Sequence, residues 1–382
     1  MRIAHVITSL QTGGAETILY RHLRNDRAGT DISLEDGGKS SVVVISLKDE
    51  GPMGERIKEL GIPVHAMNIH KEPVRGIGRL YNTLSTFDPH LVQTWLYHAD
   101  LLGGLVGRMQ GRPVIWSIHW EHPLGKTLKR STRLVTRLNA WGSSWIPDHI
   151  ISCSKTAADA HVRFGYPEEK MSVIPNGFEL DQFRPDSQCR TEVRDELGIA
   201  SKAPVVGMVA RYHPQKDHEN FLRAAVLAQQ RIPSLHFVLA GTDVRPEVDL
   251  FREYQHQFEP GTLHLLGHRN DVPRLMPMLD VASLSSNSEA FPMVLGEAMA
   301  SGVPCVATDV GDVAYLLGDT GILVPPEDPE ALADGWLQLL EAPDEDREER
   351  GRAARRRVQE NFSQEAVLEQ YDLIYERLAH AG

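Results

Sequence analysis

Short apolar runs, the size of buried strands, alternate along the chain with longer runs of helical period. In the first half the strand-like runs lie at 2–8, 42–47, 90–95, 114–118 and 149–152, with helical runs such as 16–23 and 101–109 between them. After Pro175-Asn176-Gly177 the pattern starts afresh, with strand-like runs at 205–209, 236–240, 263–265, 281–284 and 303–307. Strands that are apolar throughout are covered on both faces, and repeated strand–helix units predict parallel sheets. The restart, with its Pro/Gly punctuation, predicts a domain boundary near 175–185. The chain therefore reads as an α/β protein of two doubly wound domains, at 1–180 and 181–360, followed by a charged helical segment at 361–382. In such sheets ligands bind beyond the carboxyl ends of the strands. If the two domains face each other, the substrate site is the cleft between them.

Composition narrows the class. A chain of 382 residues, 41% of them hydrophobic, has enough apolar material for two cores. No apolar run approaches the ~20 residues of a membrane helix. Met1-Arg2 leads straight into a strand, so no secretory leader is expected. Cys153, Cys189 and Cys305 are scattered and have no C-x-x-C spacing, which predicts a reducing cytoplasm and no disulfide frame or zinc site. A formal charge of −12 speaks against nucleic acid. That charge is uneven: residues 1–175 hold 21 Lys+Arg against 17 Asp+Glu, net +4, and the remainder holds 19 against 35, net −16. The sharpest basic segment is Lys126, Lys129, Arg130, Arg133 and Arg137, interleaved with Leu128, Leu134, Val135 and Leu138. That spacing makes an amphipathic basic helix, read either as a solvated face or as contact with a membrane surface or a lipid pyrophosphate. Asp344-Glu345-Asp346 is a literal D-x-D, but it stands in an acidic helical segment and is read as solvated, not as a metal site.

Candidate chemistry gathers where strands meet helices. The stretch Glu289-Ala290-Phe291-Pro292-Met293-Val294-Leu295-Gly296-Glu297 follows a strand and a polar loop. Pro292 suits a first helical turn, and the free N–H groups of Met293 and Val294 would attract an anion. Eight residues is about two helical turns, so Glu297 is expected to face the same crevice as Glu289. A carboxylate that accepts sugar hydroxyls, near N–H groups aimed at phosphate, suits a nucleotide sugar. Arg211 and Lys216 follow the strand at 205–209 and are placed for a diphosphate, whose two negative charges they roughly offset. The alternative is surface cations paired with Asp217 or Glu219. Gly13-Gly14 lets the backbone turn tightly near a ligand, with Glu16 capping the helix or meeting an acceptor hydroxyl. No G-x-G-x-x-G occurs, which removes the main support for a dehydrogenase. His119 and His122 compete for a sugar hydroxyl at the end of the strand at 114–118, and a structural histidine is equally open there. Arg269 lies by a base or faces solvent, and Asp271 suits an N-cap.

Taken together these residues resemble the family-four retaining glycosyltransferases of the GT-B fold, over essentially the whole chain. The resemblance rests on Gly13-Gly14-Ala15-Glu16, on Pro175-Asn176-Gly177, on Arg211 with Lys216, and on Glu289 to Glu297 continuing as Ala298-Met299-Ala300-Ser301-Gly302-Val303-Pro304. It implies two Rossmann-like domains facing a cleft, with the acceptor on the first, the donor on the second, and a C-terminal helix crossing back to the first. It implies that Arg211 and Lys216 hold the diphosphate and that Glu297 takes the ribose hydroxyls. Glu289 and the N–H groups of Phe291, Met293 and Val294 then hold the donor sugar and distal phosphate. Gly14 closes on the phosphates, His119 contacts the sugar and Arg269 lies by the base. On the acceptor or membrane side stand Glu16, Lys126, Lys129, Arg130 and Arg133. Ala290 departs from the usual glycine, and the spacing around His119 and His122 is unusual.

The implied activity is transfer of a hexosyl unit, with retention, from a nucleotide diphosphate sugar to a glycan or a polyprenyl-pyrophosphate-linked acceptor. A UDP-sugar is favoured, and neither metal nor cofactor is expected. Segments like Trp95-Leu96-Tyr97-His98-Ala99-Asp100 lean toward bacterial surface-polysaccharide enzymes, cytoplasmic and peripheral on the inner membrane face. Two rivals remain: a nucleotide-sugar epimerase of similar fold, which needs an acid and a base flanking the sugar, and a non-catalytic nucleotide-binding protein.

Overall fold

The apolar runs become buried parallel strands in a computed structural model, which describes residues 1–29, 41–120, 123 and 130–379. The chain divides into two units, Met1–Asn176 with Gln364–Gly382, and Gly177–Ser363. Phe178 is already tied to Phe362 and Ser363 by backbone pairing within the second unit.

The first unit runs β1 (Ile3–Ile7), α1 (Gly14–Gly29), β2 (Val42–Ser46), α2 (Gly51–Glu59), β3 (Val64–Ala66), α3 (Pro73–Phe87), β4 (Leu91–Trp95) and α4 (Tyr97–Met109). It continues with β5 (Val114–Ile118), α5 (Arg130–Gly142), β6 (His149–Ser152), α6 (Lys155–Arg163) and β7 (Met171–Val173). Among the described residues these strands form one seven-stranded sheet, ordered β3-β2-β1-β4-β5-β6-β7. β1 lies at its centre, Ile3 facing Val42 on one side and Leu91 on the other. Alternate side chains feed opposite faces: Ala4, Val6, Val43, Ile45 and Trp116 pack on one, and Ile7, Val42, Val44 and Trp95 on the other. Burying each such Val or Ile contributes roughly 1.5–3 kcal/mol, so both faces need helices.

The second unit runs α7 (Ser187–Glu196), β8 (Val205–Val209), α8 (His218–Arg231), β9 (His236–Ala240), α9 (Asp249–Tyr254), β10 (Leu263–Leu265), α10 (Val272–Leu275) and β11 (Val281–Leu284). It continues with α11 (Met293–Ala300), β12 (Cys305–Thr308), α12 (Val313–Leu317), β13 (Ile322–Val324), α13 (Pro329–Leu340) and α14 (Asp344–Asn361). The described strands form a six-stranded parallel sheet, ordered β10-β9-β8-β11-β12-β13. A buried Arg194 clamps α7 to the sheet. It donates to the carbonyls of Met278, Ser201 and Ala203 and to Asp280 Oδ2 at 2.8–3.0 Å. The D-x-D acids open α14, where Asp344 pairs with Arg347 at 2.5 Å.

The last helix, α15 (Gln364–Ala379), belongs to the first unit. The crossovers β4→β5→β6→β7 all advance in one direction, and right-handedness sends α4, α5 and α6 to a single face. The opposite face of those strands is covered by α15: Val367, Tyr371, Ile374 and Tyr375 pack on Ile3, Leu91, Ile115, Ile151 and Ile174. Tyr375 Oη also donates to Gln93 Oε1 on β4, and Gln93 Nε2 donates to Ser117 Oγ on β5 at 2.8 Å. Among the described residues no helix is long and apolar enough to cross a membrane.

Candidate functional site

Two loops at the carboxyl ends of the neighbouring strands β8 and β11 are laced together. Asn287 N donates to Gln215 O at 3.0 Å, and Gln215 Nε2 donates to Ser288 O at 2.7 Å. Ser285 Oγ lies 2.9 Å from the carbonyl oxygens of both Lys216 and Asp217. The lacing brings Lys216 Nζ into an ion pair with Glu289 Oε1, and Ser286 Oγ donates to the same oxygen at 2.6 Å. Behind this pair Thr308 Oγ1 donates to Ser286 O at 2.5 Å, so β12 backs the loop. Gly311 sits at φ +54° with its backbone against the Glu289 carbonyl, where any Cβ would collide. An ammonium has three donors, so Lys216 keeps donors to offer after pairing with Glu289.

Glu289 and Glu297 are both about 7% exposed, but they stand on different elements. Pro292 is extended, at φ −80° and ψ 95°, and caps α11 instead of entering it. The expected two-turn spacing is thereby corrected: Glu289 lies in the loop ahead of α11, and Glu297 lies about one turn into the helix. Met293 and Val294 open α11, and N–H groups of a first turn have no acceptor within the helix. The helix is pinned from behind. Phe291 stacks on Phe178 at 6.1 Å and meets Phe362 at 5.9 Å, while a Cβ at Gly296 would run into the Phe178 ring. The first turn of α11 is therefore fixed relative to the Lys216–Glu289 pair.

Arg211 is exposed just past β8, on the strand-end segment that Tyr212 N ties to Thr242 O at 2.8 Å. His213 lies between the two cations: burial, then the charges of Arg211 and Lys216, hold its pKa below the usual histidine value. Asp217 caps α8 by accepting from Asn220 N at 3.2 Å, so it is not the partner of Lys216. Arg269 takes a different place from a solvent-facing loop arginine. Its Nε and Nη2 donate to the two oxygens of Asp271 at 2.7 and 2.8 Å, and its Nη1 donates to Glu196 at 2.9 Å. Three of the five guanidinium N–H groups are thus engaged by Asp271 and Glu196. The same bonds correct Asp271, whose carboxylate serves Arg269 and Arg274 and makes no side-chain cap on α10.

In the first unit His119 follows β5. Its ring stacks on Trp95, and burial pushes its pKa down to about 4. Both ring nitrogens are buried without a hydrogen-bond partner among the described residues. Glu16 folds back over its own loop: Ser9 Oγ donates to it at 3.3 Å, a Cβ at Gly13 would strike its carboxylate, and burial raises its pKa. At Gly14 a Cβ would meet nothing within 4 Å, so the start of α1 is open. Arg130 is exposed and Arg133 half-buried on α5. Lys126, Lys129 and His122 lie outside the described residues.

The sequence reading missed Ser286, Thr308 and Gly311, which hold Glu289 in place, and Ser285, which holds the Lys216 backbone. In the sequence Ser285 and Ser286 read only as part of the polar loop after the strand. The one signal available was a pair of small hydroxyl residues directly after a buried strand.

Two family descriptions divide the chain between them: "Glycosyltransferase Family 4" over residues 39–182 and "Glycosyl transferases group 1" over residues 190–357. The chain belongs to the family-four glycosyltransferases and has their GT-B fold. It is similar to an Escherichia coli enzyme named UDP-Gal:alpha-D-GlcNAc-diphosphoundecaprenol alpha-1,3-galactosyltransferase, with 27% identity over 307 residues, 77% of this chain and 79% of that one. A D-inositol 3-phosphate glycosyltransferase of Corynebacterium urealyticum is 28% identical over 340 residues, 77% of each chain. HepE of Anabaena, solved with UDP-glucose, superposes with a TM-score of 0.82 over 99% of this chain and 100% of that one, at 21% identity. At that identity the likeness carries the fold.

Proposed function

We propose that this glycosyltransferase moves a hexosyl unit, with retention, from a UDP-sugar to a glycan or lipid-linked acceptor in surface-polysaccharide synthesis. The observation that carries the reading is the Lys216–Glu289 pair, laced between the ends of β8 and β11 and adjoined by the first turn of α11. In this reading Arg211 and Lys216 hold the diphosphate, with the N–H groups of Phe291, Met293 and Val294 on the distal phosphate. Glu289 takes sugar hydroxyls, Glu297 the ribose, and Gly14 closes over the phosphates. His119 meets the sugar, and the flat face of Arg269 lies against the base. The anomeric carbon–phosphate oxygen bond breaks as the acceptor oxygen bonds to the same face. The acceptor's proton passes to the departing phosphate oxygen. Fixed positive groups stabilise that developing charge, and no metal is required. The UDP preference and the lipid-linked acceptor draw on the name of the E. coli relative and on the UDP-glucose bound to HepE. Such an acceptor places the enzyme at the inner, cytoplasmic face of a membrane.

The test is a thermal-shift and mass-spectrometric screen of UDP-, GDP- and ADP-sugars in EDTA. The expected result is stabilisation by a UDP-sugar with slow release of UDP. Stabilisation by none of them, or activity only with added metal, overturns the reading. An isomeric sugar formed from the donor alone points instead to the epimerase.

A further inference from the structure

α5 and the turn after it carry an apolar stripe that is exposed among the described residues. Leu134, Leu138, Trp141 and Trp145 are 58%, 42%, 71% and 42% exposed. Leu134, Leu138 and Trp141, spaced by four and three residues on α5, fall within an arc of about 60° at helical pitch, and Trp145 stands in the turn that follows the helix. The opposite face is buried through Thr136, Asn139 and Gly142, and Asn139 Nδ2 donates to Tyr97 O on α4 at 2.8 Å. The turn after α5 keeps the stripe rigid. Ile146 N donates to Gly142 O at 2.8 Å, and Lys170 Nζ reaches the carbonyls of Ser144 and Pro147 at 2.7 Å each. Trp145 is thereby held edge-on to Trp141, with ring centroids 5.5 Å apart. Two exposed tryptophans fixed against each other, one on the helix and one in the turn after it, are a large apolar surface to leave in water.

The charge beside the stripe selects its partner. Exposed Arg130 and Arg137 line one edge of it, with Arg133 half-buried on the same side. Residues 130–147 contain no Asp or Glu. With Arg130, Arg133 and Arg137 and no acid, this segment is locally positive although the whole chain carries −12, so an anionic surface is drawn to the stripe's arginine edge. Tryptophan and arginine together suit the boundary between lipid headgroups and acyl chains. We infer that the α5 stripe is a docking surface for an anionic lipid bilayer, with Leu134, Leu138, Trp141 and Trp145 entering the boundary and Arg130 and Arg137 meeting the headgroups. The surface stands on its own geometry and does not depend on the transfer reaction proposed above.

The test is flotation of the full chain with vesicles of phosphatidylcholine alone or mixed with phosphatidylglycerol. The chain is expected to float with the mixed vesicles and to be released as salt rises. Trp141→Ser with Trp145→Ser should abolish flotation, with the melting temperature kept as a check on folding. Arg130→Gln with Arg137→Gln should weaken binding about 30-fold. This second pair keeps the test decisive if the tryptophan variant folds poorly. Failure of the native chain to float with the mixed vesicles overturns the proposal. So does undiminished flotation of both variants. Self-association removed by the tryptophan changes, in a chain that does not float, assigns the stripe to a second copy instead.

Discussion

The imidazole of His119 lies parallel to the indole of Trp95, with centroids 5.0 Å apart and planes 7° from coplanar. Trp95 Nε1 in turn donates to His5 Nδ1 at 3.2 Å, and the His22 ring stands edge-on to Trp95 at 6.3 Å. His119 is therefore gripped by its face, and neither of its buried ring nitrogens has a hydrogen-bond partner among the described residues. Burial keeps it uncharged at neutral pH, so it can donate one hydrogen bond and accept another.

From this follows a split between turnover and nucleotide affinity. His119→Ala removes one uncharged sugar contact and is expected to lower kcat/KM about 2- to 12-fold. Affinity for UDP should stay unchanged by calorimetry, because UDP lacks the sugar. The pH profile around neutrality should also be unaltered, since His119, held down to about 4, stays uncharged there. Equal losses in UDP affinity and turnover would take His119 away from the sugar.

Lys216 gives the opposite signature. Its charge-assisted contacts to a diphosphate are worth roughly 1.5–3 kcal/mol, so Lys216→Ala should weaken UDP binding roughly 10- to 150-fold and leave uridine binding nearly unchanged. The loss should fall at the high end of that range, because the variant leaves the Glu289 carboxylate unpaired beside the phosphates. Adding Glu289→Gln to Lys216→Ala should restore part of the affinity. A double variant as weak as the single one would show that Glu289 does not oppose the phosphates. Near-native UDP binding by Lys216→Ala would sink the diphosphate assignment.

The elements of this site were legible in the sequence, and their assembly was not. Strands such as 42–47 and 281–284 announce themselves because a strand buried on both faces must be apolar at every position. Arg211 and Lys216 stand out because charged residues in the loop after such a strand are placed for a ligand, and Glu297 stands out by its eight-residue spacing from Glu289 in the strand-to-helix crevice. That Glu289 pairs with Lys216 depends on loops 73 residues apart, and that distance leaves no local pattern. Arg269 was ambiguous for the same reason, since its partner Glu196 sits on α7. Pro292 misled because proline fits both a cap and a first turn, and only its ψ decides. The stripe on α5 was half visible: the arginine–leucine interleaving was clear, but Trp141 and Trp145 become surface anchors only once Asn139 and Gly142 are seen to face inward.

Arg194 tests the second unit's stability apart from its chemistry. Its side chain is buried, and it satisfies three carbonyls and shares Asp280 with Arg190. Arg194→Leu orphans those carbonyls and should cost about 3–5 kcal/mol, as breaking a buried ion pair does. The urea midpoint should fall with an unchanged slope, while UDP affinity below the transition stays native. A shift under 1 kcal/mol would mean that water replaces the guanidinium.

The first unit should be acid-labile, and the sign follows from its buried histidines. Burial, aided by the neighbouring His22, holds His5 down to about 3, and burial holds His22 and His119 down to about 4. The unfolded chain binds protons at the ordinary value of about 6.5. Stability from these groups is therefore complete above that pH and is lost as the pH falls toward 4, by roughly 1.36 kcal/mol per pH unit for each group. Asp100 works the other way. Burial raises its carboxyl to about 7, partly offset by the bond Thr94 Oγ1 donates at 2.6 Å. Unfolding releases that proton anywhere above the ordinary value near 3.9, so acidification relieves the cost. Three histidines outweigh one aspartate, and the melting temperature should fall steadily between pH 7 and pH 5. Asp100→Asn keeps an oxygen for Thr94 and removes the opposing titration. It should raise the melting temperature at pH 8 by more than at pH 5 and steepen the acid loss. Calorimetry across that range checks both curves. A native curve flat from pH 7 to pH 5 would mean that these imidazoles already reach solvent in the folded chain.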